Sequence, residues 1–204
     1  MLPPPPTHDH DHAIGLDAAL DFLNTLDLER GQLVEHFLDP ADVAAWFAER
    51  GLIHFDAVGV VERADFDRVR KVRAALRDVI DSIVEERRPA PAAVALVNAT
   101  LEARRPARLE LDGTAVRIGH RHAKTPVADA LALIAEAVVH ELASGRPERF
   151  RVCANDRCRW AFFDASPTGR RRWCDMSTCG NQAKAARHRQ RLRGAGEKAE
   201  AQLS

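Results

Sequence analysis

"RVCANDRCRWAFFDASPTGRRRWCDMSTCGNQAKAARHRQRLR", residues 151–193, holds all four cysteines of a 204-residue chain. Cys153, Cys158, Cys174 and Cys179 follow the pattern C-x4-C-x15-C-x4-C. Two short-loop pairs set apart in this way match the spacing of zinc ribbons, with x4 loops in place of the commoner x2. Four thiolates fill the tetrahedral shell of one zinc ion and leave no position for water, which makes the expected role structural rather than catalytic. Two disulfides, a redox dithiol and an iron–sulfur cluster are the competing readings. The first suits an oxidising compartment, the second usually shows C-x-x-C, and the third has other spacings. Zinc ranks ahead of all three.

The same stretch carries the charge. The formal net charge of the chain is zero, yet residues 149–193 hold 12 Lys+Arg against 3 Asp+Glu. Residues 1–148 hold 17 against 25. A segment this basic attracts a polyanion, or else docks on the acidic part of its own chain. After Gly180 the run "NQAKAARHRQRLR" reads as a helix on which Lys184, Arg187 or His188, and Arg191 share a face, while Arg189 and Arg193 extend the positive surface. Arg170, Arg171 and Arg172 form a second cluster. Each arginine is able to clamp a phosphate bidentately. Trp160, Phe162, Phe163 and Trp173 are four of the chain's eleven aromatics. Placed beside the metal ligands, most of them are expected to pack a small core that metal binding stabilises, rather than stack on bases.

Upstream the periodicity is helical. Residues 14–28 place Leu16, Leu20, Leu23 and Leu26 on one face. Asp39-Pro40 offers a cap and a first-turn proline for a helix that Gly51 stops. Residues 65–87 repeat apolar side chains at Val69, Val72, Leu76, Val79 and Ile83. Shorter and longer helices are expected over 92–103 and 126–143. Between them "ARLELDGTAVRIGHR" alternates around Asp112-Gly113, a hairpin signal. "SGRPE" at 144–148 marks the expected domain boundary. The fold expected is therefore α+β: an α-rich domain over 14–147 with a small antiparallel hairpin, then a treble-clef or ribbon-like four-cysteine zinc module over 148–193 ending in a basic helix. A Pro/His-rich tail (1–13) and a flexible end (194–204) flank them. "HDHDH" in the tail is read as a solvated segment with incidental metal affinity.

Isolated polar residues are weighed in the same way. His120 and His122 fall on one face of a strand and make half a metal site at most, so surface histidines are the better reading. Asn24 and Thr25 interrupt an apolar helix. They either line a ligand pocket, or cap or bond a neighbouring loop, and the second is the stronger expectation. No nucleophile–base pair, P-loop or dinucleotide fingerprint stands out, so an enzyme is not expected. No apolar run spans a bilayer and no secretory leader is visible, so a cytoplasmic protein with no membrane partner is expected.

Residues 149–191 resemble the CGNR-type zinc finger of bacterial proteins, and "LDAALDFLNTLD" (16–27) resembles the opening of the ABATE domain that usually precedes it. The resemblance spans about residues 14 to 192. It implies that Cys153, Cys158, Cys174 and Cys179 hold one Zn2+. It also implies a transcription regulator, induced by stress, whose zinc finger is proposed to bind DNA, with an N-terminal domain that senses or dimerises. Arg170, Arg171, Arg172, Gln182, Lys184, Arg187, His188 and Arg191 are then the candidate nucleic-acid contacts. The motif departs at one position: Cys-Gly-Asn-Arg is here Cys179-Gly180-Asn181-Gln182. If the family's arginine contacts phosphate, this chain loses one such contact, though glutamine is able to pair with adenine; if that arginine only packs or caps, little changes. A structural zinc module that docks on its own chain or on a partner protein, without DNA, is the alternative.

Overall fold

The computed structural model describes residues 14–53, 61–113, 115–121 and 123–201. Helices α1 (Leu16–Leu23), α2 (Pro40–Glu49), α3 (Arg63–Val84), α4 (Pro91–Leu101) and α5 (Pro126–Ala143) build the N-terminal part, and α6 (Asn181–Ala201) follows the cysteines. Three two-stranded antiparallel sheets accompany them: β1–β2 (Leu26–Glu29, Gln32–Glu35), β3–β4 (Arg105–Asp112, Ala115–Arg121) and β5–β6 (Phe150–Val152, Ala161–Phe163). The class is the α+β one expected. No helix among the described residues is long and apolar enough to cross a membrane. The tail before residue 14, with its His-Asp repeat, and His122 lie outside the described residues, and of His120 only its place on β4 is described.

The helix ends follow local chemistry. Asp39 caps α2 by accepting from the Ala41 and Asp42 amides, and Asp42 returns the bond to the cap, a full capping box behind Pro40. Thr125 caps α5 on the Ala128 amide. Gly51, at φ +66°, takes the left-handed conformation just past α2. Asp112 pairs with Ala115, so the second hairpin turns one residue later than Asp112-Gly113.

One expectation fails. The first helix does not run through Leu26. It ends at Leu23, Asn24 caps it, and Leu26 opens strand β1. The spacing of the leucines fits a helix, but the polar groups of Asn24 and Thr25 are claimed by distant partners and the backbone turns. At the other end α6 passes Arg193 and runs to Ala201.

α1, α3, α4 and α5 pack on one another and α2 leans on α3. Phe22, Phe37, Trp46 and Phe47 form an aromatic cluster within this core, with ring centroids 5.7–6.3 Å apart. The core does not stop at residues 144–148. Phe150 and Ala161, from β5 and β6, are buried in the same cluster as Phe66, Leu131 and Val138. The third hairpin is thus a shared wall between the helices and the cysteines.

Candidate metal centre

Cys153 follows β5 and Cys158 precedes β6, so the loop between these strands is a knuckle. The Cys153 amide donates to the Trp160 carbonyl at 2.8 Å, which closes its base. The Asn155 carbonyl accepts from the amides of Cys158 and Arg159 at 2.8 and 3.1 Å, while its side-chain oxygen takes the Arg157 amide. Asn is suited to such a turn because its side chain bonds the backbone two residues on. The second pair leads into α6. Asp175 caps a π turn, Met176–Gly180, by accepting from the Thr178 amide at 2.7 Å and from the Ser177 and Thr178 hydroxyls. These bonds hold the Asp175 carboxyl below its usual range, the Ser177 hydroxyl foremost. The Ala154 amide bonds the Arg172 carbonyl and ties the halves together.

The four Sγ atoms lie within 4.8 Å of one another, with Cys158 and Cys174 3.7 Å apart and Cys174 and Cys179 3.9 Å apart. Zn–S bonds of about 2.3 Å in a tetrahedron place sulfurs about 3.8 Å apart, so the quartet has the size of a zinc site. A disulfide needs about 2.05 Å, and all four cysteines are free thiols. Cys153 and Cys179 are buried, and Phe162 packs against them with Trp173 beside. Burial pushes the Cys158 thiol up to about 12 and raises Cys174 as well. At Cys179 burial also opposes ionisation, but the Asn155 amide, 3.4 Å from Sγ, and the neighbouring thiols outweigh it and lower the value. Four such thiols do not ionise together without a cation. A dication offsets their mutual repulsion and is repaid in fold stability. Asn155 is the outer-shell donor that orients the sulfur of Cys179.

The sequence-selected basic residues fall into different roles. Arg171 is spent on the fold: its guanidinium donates to the Cys174 carbonyl at 2.5 Å and sits 5.1 Å from the Phe162 ring, while its amide bonds buried Asp164. Arg172 and Arg187 flank Trp173 at 5.3 and 5.9 Å, so this ring joins the 170–172 cluster to α6. Lys184, Arg187 and Arg191, with Gln190, line a concavity of about 500 Å³. His188 is exposed on the same helix. Among the described residues, Arg170, Arg172, Lys184, Arg187, Arg189 and Arg191 form no ion pair. Gln182 Oε1 accepts from Asn155 Nδ2 at 3.1 Å. Pairing with adenine needs that oxygen as well as the amide protons.

Asn24 and Thr25 do bond neighbours. Asn24 donates to the Ala161 carbonyl and accepts from the Ala161 amide, both at 2.9 Å, like one more rung beside β6. Thr25 donates to the Phe22 carbonyl and accepts from Arg73. Sequence reasoning missed the other ties between the two parts. The Trp160 indole donates to Asp27 at 2.5 Å, Arg157 donates to the Arg30 carbonyl at 2.9 Å, and Arg77 donates to the Arg159 carbonyl at 2.6 Å. Asp27 also faces His36 at 3.3 Å, with Glu29 beyond it at 3.7 Å. Period-two spacing of Asp27 and Glu29 was the signal available, hidden by the helical reading of Leu26.

A search of curated proteins finds no match. Residues 16–145 match the ABATE family, described as "Putative stress-induced transcription regulator", and residues 149–192 match the CGNR zinc finger. The second match encloses the sulfur quartet, and together the two enclose the helices, the hairpins and the ties between them. The chain belongs to the ABATE family of regulators and carries a CGNR zinc finger whose four cysteines fit one structural zinc ion.

Proposed function

We propose that this zinc-binding regulator is a cytoplasmic, non-enzymatic protein that binds DNA through α6 and the 170–172 segment. The observation that carries the reading is the set of cations without ion-pair partners among the described residues, Arg170, Arg172, Lys184, Arg187 and Arg191, with Arg172 and Arg187 meeting on the Trp173 ring beside the metal ligand Cys174. Exposed arginines held on a rigid frame lose little entropy on meeting phosphate. Zinc supplies the frame and the arginines supply the affinity. The N-terminal helices then sense a signal or dimerise.

Docking of the zinc finger on its own chain is the competing role. Among the described residues it is made by the knuckle and by β6, through Trp160, Arg157 and Ala161, and not by Lys184, Arg187 or Arg191 of α6. Docking therefore leaves α6 available. The test is a salt titration of duplex-DNA binding by the zinc-loaded chain. Six to eight neutralised phosphates give a slope of log K on log salt of about −5 to −7. Charge reversal at Arg187 and Arg191 abolishes binding while zinc content and melting temperature hold. Absence of binding at low salt, or a flat salt dependence, refutes the reading.

A further inference from the structure

Lys184, Arg187 and Arg191 share a face of α6, and at 3.6 residues per turn Gln182 and Arg189 fall roughly on the opposite face. That second face looks into a cleft of about 750 Å³. Its walls are Leu28 and Arg30 of the first hairpin, Asn155 and Arg157 of the knuckle, and Gln182 and Arg189 of α6. Ala185 and Ala186 also line it, so the helix wall is low and allows close approach. One carboxylate, Asp156, stands against three arginines.

The far lip is rigid. Glu29 pairs with Gln32, leaving a two-residue turn in which Arg30 and Gly31 have φ of +54° and +87°. Turns of this hand match the twist of a hairpin and hold it tightly. The Arg157 side chain packs on Gly31 and bonds the Arg30 carbonyl, pinning the turn to the knuckle. The Arg30 and Arg189 side chains are exposed and form no ion pair among the described residues. Two cations thus face one cleft from different parts of the chain.

We propose that this cleft grips a sugar-phosphate strand of DNA, and that the ABATE part contributes Arg30 to the nucleic-acid interface. The inference rests on the DNA-binding reading above and extends it. A helix about 10–12 Å across fills a major groove about 12 Å wide. Phosphate strands then flank it on both sides, so cations are needed on opposite faces. α6 has them: Lys184, Arg187 and Arg191 serve one strand, and Arg189, with Arg157 and Arg30 across the cleft, serves the other. Because Arg157 pins the β1–β2 turn to the knuckle, the ABATE part holds one lip of the clamp at a fixed distance from α6.

The test uses the zinc-loaded full chain and a labelled duplex, followed by anisotropy over a salt series. Arg30→Asn removes the charge with a residue that tolerates positive φ and keeps the carbonyl that Arg157 needs; Arg189→Gln does the same on the helix. Each variant is expected to bind about fivefold more weakly near 0.15 M salt, with the salt slope shallower by about one. Zinc content and melting temperature stay at parent values. Parent-like affinity of Arg30→Asn at every salt concentration overturns the cleft. If Arg187 and Arg191 reversal still abolishes binding in that case, the DNA-binding reading stands alone. A parent chain that binds no DNA at low salt removes both.

Discussion

Asn24 shows how much one buried amide decides. It is 5% exposed, and its side chain serves both the amide and the carbonyl of Ala161, across 137 residues of sequence. No hydrophobic pattern announces this. Truncation in Asn24→Ala leaves a buried N–H and a buried C=O without partners. Each orphan costs about 1–3 kcal/mol, so a loss of about 2–6 kcal/mol is expected in urea unfolding. Zinc stoichiometry should hold, since Asn24 touches no cysteine. A loss below about 0.5 kcal/mol would mean that water replaces the amide. Gln182 makes the complementary point. The place where the family's arginine would stand is occupied by a side chain that supports Asn155, and Asn155 supports Cys179. The departure therefore bears on the metal site before it bears on DNA.

At the scale of elements, the β1–β2 hairpin stays in place through an ion pair. Arg73, 3% exposed on α3, grips Glu35 with two bonds of 2.7 and 2.5 Å, and Arg70 stands 3.3 Å off. Burial works against the Glu35 carboxylate, but the hydrogen bond from Arg73, the Phe37 amide and both guanidinium charges outweigh it and lower its pKa. A lowered carboxylate value stabilises the fold above the ordinary value of 4.5 and loses that contribution as pH falls through the folded value. Melting temperature should accordingly fall on acidification below 4.5. Glu35→Gln should flatten that part of the slope. It should also cost about 3–5 kcal/mol at neutral pH, because Arg73 keeps its charge and loses its counter-charge. An unchanged acid slope would deny the pair this role. The same hairpin marks the limit of sequence reading. α5 was legible to the residue, because Thr125, Pro126 and a regular apolar repeat are local signals. The cysteine quartet was legible because chelation fixes its own spacing. α1 was overrun into β1 because Leu26 continues the helical period, while the groups that end the helix, Ala161 and Arg73, lie far along the chain. The basic residues of α6 and their two faces were legible in the sequence, but that Arg30 of the first hairpin lines the cleft beside Gln182 and Arg189 needed the third dimension.

For the whole molecule, zinc and helices share one body. Phe150 meets Phe163 edge to face at 5.4 Å, and Phe150 and Ala161 belong to the core of α1, α3 and α5. The strands that carry these residues also bracket the knuckle of Cys153 and Cys158. A metal that orders the knuckle therefore orders a wall of the main core, and its removal should be felt beyond the zinc finger. Chelation, or Cys174→Ser, is expected to release the metal and lower the melting temperature by roughly 6–12 °C, if about 3 kcal/mol of the metal's contribution reaches the common core. Hydrogen exchange locates the effect. Amides of α1 and α3, which pack against β6 and β5, should lose protection together with α6, while those of α4, which packs on α3 and α5, should change least. Zinc-loaded protein should unfold in one transition, because Phe150 and Ala161 of the zinc finger are buried in the main core, although the residues packed around the cysteines form a smaller cluster of their own. Two transitions, with α1 and α3 indifferent to the metal, would make the zinc finger an independent appendage and leave the ABATE part no mechanical hold on it.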